Sequence, residues 1–230
     1  MNNVYGYGFS YLFYILPGII LAIYAQGKIS SAYSKYLDIR TKRRIRGYDA
    51  ARMILDANGM RDVRIEEISG KLTDNYDPRD KTLHLSKDVY HGDSLASVSI
   101  AAHEVGHAMQ DNTDYFPLRF RASLVPLATI GTNFSFYLIV AGFFFSYFLT
   151  KLGIALFFFG VLFQIVTLPV EFNASNRAKI ALEEGGYLDE SELKGTREVL
   201  SAAALTYVAA TLTALGQFLR LLAIFGNRRD

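Results

Sequence analysis

The sequence LVPLATIGTNFSFYLIVAGFFFSYFL (residues 124–149) is followed, after Thr150 and Lys151 alone, by LGIALFFFGVLFQIVTLPV (residues 152–170). Neither stretch contains a charged side chain. Each is long enough to cross a hydrocarbon core of about 30 Å as a helix that rises about 1.5 Å per residue. The short interval predicts a tight helical hairpin through a membrane. Pro126 and Pro169 stand near the two ends of this hairpin, as expected at span boundaries.

A third uncharged stretch, YGFSYLFYILPGIILAIYAQ (residues 7–26), predicts an N-terminal transmembrane helix. A cleaved signal peptide is the alternative, but the residues before this stretch lack the basic region of such peptides. Positive charge follows instead, because residues 28–46 contain seven lysines and arginines against one acid, Asp38. Since basic flanks stay in the cytoplasm, we expect an external amino terminus and a cytoplasmic domain after the helix.

The composition agrees with a membrane protein that also has a polar domain. Hydrophobic residues make up 51% of the chain and charged residues 20%, so the two kinds must be segregated along the sequence. This balance excludes disordered and collagen-like chains. The net charge of +2 gives no support for nucleic-acid binding. Because the chain has no cysteine, a metal site must use His, Asp or Glu.

Residues 47–120 form the one clearly polar block. Residues 48–58 carry apolar side chains at helical spacing and end before Gly59, which predicts a helix. Residues 63–68 and 81–85 alternate as short strands do, so a small sheet should follow. Residues available to cap the later helices of this block are Ser86, Asp93 and Ser94.

The last apolar stretch, residues 200–225, leaves its own placement open. It is long enough to span a membrane. However, Arg220 lies within it and Arg228 and Arg229 follow it, which argues weakly against an external carboxyl terminus. The sequence therefore allows this helix either to span the bilayer or to lie against the polar block.

The polar block contains HEVGH (residues 103–107) on a helix expected over residues 95–110. Residues four apart share a helix face, so His103 and His107 can bind one ion, while Glu104 points toward the open coordination position. Two imidazoles and one carboxylate leave a water site on tetrahedral Zn²⁺, and a non-ligating carboxylate beside it can accept a proton from that water. The motif therefore predicts a catalytic zinc site.

A third protein ligand is required for fixed geometry. His84 in a strand-like segment and His91 in a loop are poorly placed. Glu171 lies at the end of the predicted hairpin, where a carboxylate at a membrane boundary needs an electrostatic partner. Two spans between His107 and Glu171 would return the chain to the same side of the membrane. We therefore expect Glu171 to be the third ligand, with an interfacial charge or a helix cap as the alternative.

Four segments together carry a resemblance to a known family. They are NYDPRDKTLHLSKDVY (residues 75–90), HEVGHAMQ (103–110), LPVEFNASNRA (168–178) and ALTYVAATLTALGQFLRLL (204–222). The chain resembles the bacterial YugP-type membrane zinc metallopeptidases and, more distantly, the HtpX/Ste24 group of membrane gluzincins. The resemblance implies a neutral zinc endopeptidase of the cytoplasmic membrane. Its fold would be that of a mostly α membrane protein with transmembrane helices and a small α+β zincin-like cytoplasmic domain carrying the HExxH helix.

The resemblance also implies roles for individual residues. Glu104 would be the general base, and the Zn²⁺ ligands would be His103, His107 and Glu171. In the HtpX/Ste24 pattern an Asp four residues after the ligand Glu orients a histidine ligand. Ser175 stands at that position here, which leaves Asn176, Asn173 or a water as candidates for the contact.

The expected organisation has four parts. They are an N-terminal transmembrane helix (residues 1–27), a cytoplasmic metallopeptidase domain (28–123), a transmembrane hairpin (124–170) and a cytoplasmic segment with the third ligand and a C-terminal apolar helix (171–230). The expected partners are a polypeptide substrate, membrane-associated or misfolded, and the lipid bilayer. The candidates for an oxyanion donor are Tyr76, Tyr90, His84, His91 and Arg177. Residues 82–86 are a candidate edge strand for pairing with an extended substrate, with an ordinary sheet strand as the alternative.

Two other functions compete with this one. In an intramembrane protease the motif would lie within a span, but charged residues bracket its helix after about sixteen residues, too few for a midplane site. In a non-catalytic scaffold or transporter the metal would only hold the polar block to the hairpin. Glu104 distinguishes the two metal-binding cases, because a structural site has no need of a non-ligating carboxylate.

Overall fold

The computed structural model describes residues 4–225 of the chain, with side chains from residue 12 onward. This part of the chain is mostly helical and includes one small sheet. The helices are α1 (Val4–Leu37), α2 (Gly47–Ala57), α3 (Lys87–His91), α4 (Leu95–Asn112), α5 (Phe116–Phe144), α6 (Tyr147–Glu184) and α7 (Glu190–Phe225). The strands are β1 (Arg64–Ile68), β2 (Asn75–Asp77) and β3 (Thr82–Ser86).

The sheet has the order β1-β3-β2, with β3 in the centre. β3 pairs in parallel with β1 and antiparallel with β2. The predicted helix of residues 48–58 and both predicted strands are confirmed as α2, β1 and β3. The expectation that residues 82–86 form a free edge strand is wrong, because both sides of β3 are already paired. Strand β2 was not predicted, since three residues are too few to show alternation.

Within the described residues, four helices are long and apolar enough to cross a membrane: α1, α5, α6 and α7. The last apolar stretch therefore belongs to a candidate span. Arg220 lies inside α7 with its Nη1 atom 3.5 Å from Oε1 of Gln217, one turn earlier. Arg228 and Arg229, which entered the sequence argument about the carboxyl terminus, lie outside the described residues.

The turn between α5 and α6 consists of Phe145 and Ser146, not of Thr150 and Lys151 as expected. The prediction used the charge of Lys151 as a boundary. In the structure the Lys151 ammonium lies over the ring of Tyr147, 4.6 Å from its centroid, so this charge is accommodated in the first turns of α6.

Pro126 and Pro169 lie inside α5 and α6, so neither proline ends its helix. Helix α6 passes Pro169 and continues to Glu184. Glu171 is consequently held in a regular helix, and the residue four positions later lies on the same helix face.

The chain forms two compact units. One, the apolar unit, comprises Arg119–Leu168 and the described parts of Met1–Gln26 and Thr206–Asp230. The other, the site unit, comprises Gly27–Leu118 and Pro169–Leu205. The site unit has its own hydrophobic core, to which α2, the sheet, α4 and the site-unit parts of α6 and α7 contribute. Helix α4 lies deep in this core, with Ala101, Ala102 and Val105 fully buried.

Candidate metal centre

Helix α4 begins where the sequence predicts. Ser94 is its N-cap, and the Ser94 Oγ accepts a hydrogen bond from the backbone N–H of Ser97 at 3.1 Å. The helix runs on to Asn112, so the HEVGH segment lies in its middle. The two imidazoles are one turn apart, with ring centroids separated by 4.8 Å and planes at 84°.

The structure brings the three predicted ligands together. Oε2 of Glu171, on α6, lies 3.2 Å from Nε2 of His103 and 3.7 Å from Nε2 of His107. One donor atom from each residue lies within 4.8 Å of the others. The site is enclosed, because Glu171 and His107 are buried and the His103 side chain is only 14% exposed.

These donors fit a zinc ion. Bonds of about 2.0–2.2 Å from tetrahedral zinc to imidazole nitrogen and carboxylate oxygen place neighbouring ligand atoms roughly 3.3 Å apart. The two distances from Glu171 Oε2, 3.2 and 3.7 Å, agree with this separation. Two imidazoles and one carboxylate also form a donor set that zinc favours.

The other nitrogen of each imidazole is held by a neighbouring side chain. Ser175 Oγ lies 3.1 Å from Nδ1 of His103. Ser175 itself therefore contacts the second nitrogen of His103. The candidates expected for this contact had been Asn176, Asn173 or a water. It can do so because α6 stays helical past Pro169 and carries Ser175 on the same face as Glu171.

Nδ1 of His107 lies 3.0 Å from Oε1 of Gln110. Gln110 is not among the site residues predicted from the sequence. A signal was present, because Gln110 follows His107 by three positions and therefore shares its helix face. Gln110 is also fully buried in the structure, which is unusual for a glutamine.

The proposed base, Glu104, is 8% exposed and lies near the backbone N–H of Tyr76 on β2. Burial raises the pKa of the Glu104 carboxyl to about 7, although His103 and the Tyr76 N–H favour the charged form. A carboxyl group with a pKa near 7 can both accept and return a proton at neutral pH.

The five candidate oxyanion donors are in different places. The Tyr76 hydroxyl donates to Oδ2 of Asp111 at 2.9 Å. His84 lies on β3 between Leu83 and Leu85, and those two residues belong to the core that contains α4. Because side chains alternate along a strand, His84 faces away from that core.

The other three candidates contact different partners. His91 contacts Glu67 on β1, the sheet edge opposite β2, at 2.7 Å, and the Tyr90 ring packs on Tyr48. Arg177 donates to Asn173 at 2.8 Å. Of the five residues, Tyr76 is thus the one whose backbone N–H lies near the proposed base.

The four candidate spans and the buried His-His-Glu group, which is able to bind a metal, are the features of a membrane metalloprotein. The comparisons specify the class further. A sequence profile of the family described as "Putative neutral zinc metallopeptidase" matches residues 11–226. The chain belongs to this family and is a zinc metallopeptidase, as the resemblance indicated.

A curated relative supports the same assignment. The chain is 42% identical over 221 residues to "Putative membrane protease YugP" of Bacillus subtilis (strain 168), and the match covers 96% of this chain and 98% of the relative. No solved structure matches the chain.

Proposed function

We propose that the protein is a multi-pass membrane endopeptidase of the gluzincin type. In this proposal His103, His107 and Glu171 hold Zn²⁺, and Glu104 is the general base. The observation that carries the proposal is the position of one Glu171 oxygen beside Nε2 of both histidines. The family assignment and the curated relative, which is named a membrane protease, support the same reaction.

When bound, zinc would supply a Lewis acid for the peptide carbonyl and would acidify the attacking water. Glu104 takes a proton from that water and passes it to the nitrogen of the leaving amine. The nearby backbone N–H of Tyr76 favours the charged form of the Glu104 carboxyl. Burial raises the pKa of Glu104 from its ordinary value, which favours uptake of a proton by this carboxylate.

We propose that the substrates are membrane-associated or misfolded polypeptides. The peptidase family supports polypeptide substrates, and the four candidate spans of the described residues support substrates at the membrane. The small α+β part of the site unit, with HEVGH on α4, would be the zincin-like domain. α4 is not among the candidate spans found in the described residues, which supports a site at the membrane boundary near the end of α6 rather than in the middle of the hydrocarbon core.

The proposed orientation places the site unit in the cytoplasm. Seven basic residues lie between positions 28 and 46, in the last turns of α1 and in the segment that follows it, which favours the cytoplasmic side for that flank. The turn between α5 and α6 is then external. With four spans, the end of α7 at Phe225 lies outside, which differs from the expectation that residues 171–230 are all cytoplasmic, and the segment between α6 and α7 lies in the cytoplasm.

The decisive experiment compares the wild type with Glu104→Gln in full-length protein purified in detergent. We expect Glu104→Gln to bind one zinc ion and to cleave an unfolded protein such as casein about 10²–10⁴-fold more slowly. Glu171→Ala should lose zinc. Glu183→Gln is the matched control, because Glu183 is an exposed acid on the same helix as Glu171.

Two results would contradict the proposal. Unchanged turnover in Glu104→Gln would remove Glu104 as the base. Zinc binding without cleavage by the wild type would favour the scaffold with a structural metal.

A further inference from the structure

Gln110 connects the two helices that carry the proposed ligands. Its Oε1 atom lies 3.0 Å from Nδ1 of His107 on α4. Its Nε2 atom donates to α6 at two places, the backbone oxygen of Val170 at 2.7 Å and Oδ1 of Asn173 at 3.1 Å. Val170 immediately precedes Glu171, so this side chain joins one ligand to the backbone beside another.

The groups that Gln110 and Asn173 contact determine which atom donates and which accepts in these hydrogen bonds. A backbone carbonyl can only accept, so the amide nitrogen of Gln110 must face Val170. Nε of Arg177 donates to Oδ1 of Asn173 at 2.8 Å, and a guanidinium can only donate. Asn173 therefore presents its oxygen to the Gln110 nitrogen as well, and both contacts require the same orientation of the Gln110 amide.

This orientation determines the tautomer of His107. Oε1 of Gln110 is an acceptor, so Nδ1 of His107 must carry the proton and donate it. In the neutral imidazole the lone pair is then on Nε2, the atom that lies 3.7 Å from Glu171. His103 differs in this respect, because the hydroxyl of Ser175 can donate or accept and so does not select a tautomer.

We propose that Gln110 is a positioning residue that holds His107 in its metal-binding tautomer and ties this imidazole to the part of α6 that bears Glu171. The inference rests on the proposed metal site. The buried amide of Gln110 then fixes the position of His107 relative to Glu171, although these two ligands are 64 positions apart in sequence (171 minus 107). Residues that orient metal ligands in this way typically change metal affinity about 10–100-fold when they are replaced.

The test uses full-length protein with Gln110→Met and Gln110→Asn. Methionine fills the volume without hydrogen bonds, and asparagine keeps the amide but is too short to reach His107 and α6 together. The matched control is Ser99→Ala. Ser99 is also fully buried on α4, and its Oγ lies 3.0 Å from Oγ1 of Thr196 on α7, so it joins α4 to a helix without a ligand.

Zinc affinity is measured by competition with a chelator, and the His107 imidazole proton is followed by ¹⁵N NMR of the zinc-loaded protein. We expect both Gln110 variants to bind zinc about 10–100-fold more weakly than the wild type, whereas Ser99→Ala binds it normally. The Nδ1–H proton of His107 should exchange slowly with water in the wild type and in Ser99→Ala, and rapidly in Gln110→Met.

Three results would overturn the inference or its basis. Wild-type zinc affinity in Gln110→Asn or Gln110→Met would show that the amide does not position His107. An equal loss of affinity in Ser99→Ala would trace the effect to general loosening of α4. A wild-type protein that binds no zinc would instead remove the proposed metal site itself.

Discussion

Gly106 of α4 lies directly against Ala174 of α6, so that a Cβ atom placed on Gly106 would be 2.4 Å from the Ala174 carbonyl oxygen. Gly106 precedes His107, and Ala174 lies between Glu171 and Ser175. The two backbones therefore touch at the level of the proposed ligands. The absence of a side chain at position 106 sets the distance between imidazole and carboxylate.

We predict that Gly106→Ala separates the two helices and weakens zinc binding. Insertion of a methyl group at a closed backbone contact costs about 1–3 kcal/mol of stability. Gly27→Ala is the control, because nothing lies within 4 Å of a Cβ on this helical glycine and alanine is the better helix former. Zinc affinity and the free energy of unfolding are measured for both variants. Equal behaviour of the two would show that the contact at Gly106 does not set the ligand distance.

We predict that Ser175→Ala lowers zinc affinity about 10–100-fold, because Nδ1 of His103 loses its partner. Ser175→Asp should bind zinc at least as tightly as the wild type, since a carboxylate accepts the Nδ1–H bond and makes the imidazole more basic. Chelator competition measures both variants. If Ser175→Ala retains wild-type affinity, orientation of His103 does not depend on Ser175.

We predict that Tyr76→Phe lowers the free energy of unfolding by about 0.5–1.5 kcal/mol at neutral pH, because the hydrogen bond to Asp111 is lost. Burial and this bond raise the pKa of the Tyr76 phenol above its ordinary value of 10.0. The stabilisation is therefore fully present below pH 10 and decreases as the pH rises toward the folded-state pKa. Above pH 10, stability should fall less steeply in Tyr76→Phe than in the wild type.

Asp111→Asn provides the control for this prediction. Because the two side chains share one hydrogen bond, the double variant should lose no more free energy of unfolding than the sum of the two single losses. The difference is the coupling energy. Strictly additive single effects, or an unchanged alkaline profile in Tyr76→Phe, would contradict the role of this hydrogen bond.

We predict that single-cysteine labelling places the site unit in the cytoplasm. Single-cysteine variants are simple to make because the natural chain has no cysteine. Ser146→Cys lies in the turn between α5 and α6, and Asn58→Cys follows α2 in the site unit; both positions are exposed. A membrane-impermeant maleimide should label Ser146→Cys in intact cells. It should label Asn58→Cys only after permeabilisation. The reverse pattern would place the site unit outside the cell.

Local patterns in the sequence were sufficient for several features. Apolar runs that are long enough to cross a bilayer predicted membrane helices, and the spacing of His103 and His107 predicted a shared face on α4. The cap at Ser94 is confirmed for the same reason, because a cap depends on residues within one turn. The proximity of Glu171 to both histidines was predicted from charge and chain topology, and the structure brings the three side chains together.

Packing between distant segments decided other features. The hairpin turn is at Phe145 and Ser146 because Gly142 and Thr150 meet there, with a Cβ on Gly142 placed 2.4 Å from the Thr150 nitrogen. Hydropathy could not show this contact and placed the turn at Lys151 instead. Likewise, β3 is central because β2, a strand too short to predict, pairs with its second side.

The sequence by itself determined that this chain has membrane helices and a helix with two histidines and a glutamate arranged for metal chemistry, because those properties depend on neighbours a few positions apart. Only the tertiary structure decided which side chains complete the site. Ser175 meets His103, and Gln110 joins His107 to Val170, across about sixty or more positions of sequence. Such contacts depend on how closely two helices approach, and at Gly106 that approach is set by backbone against backbone.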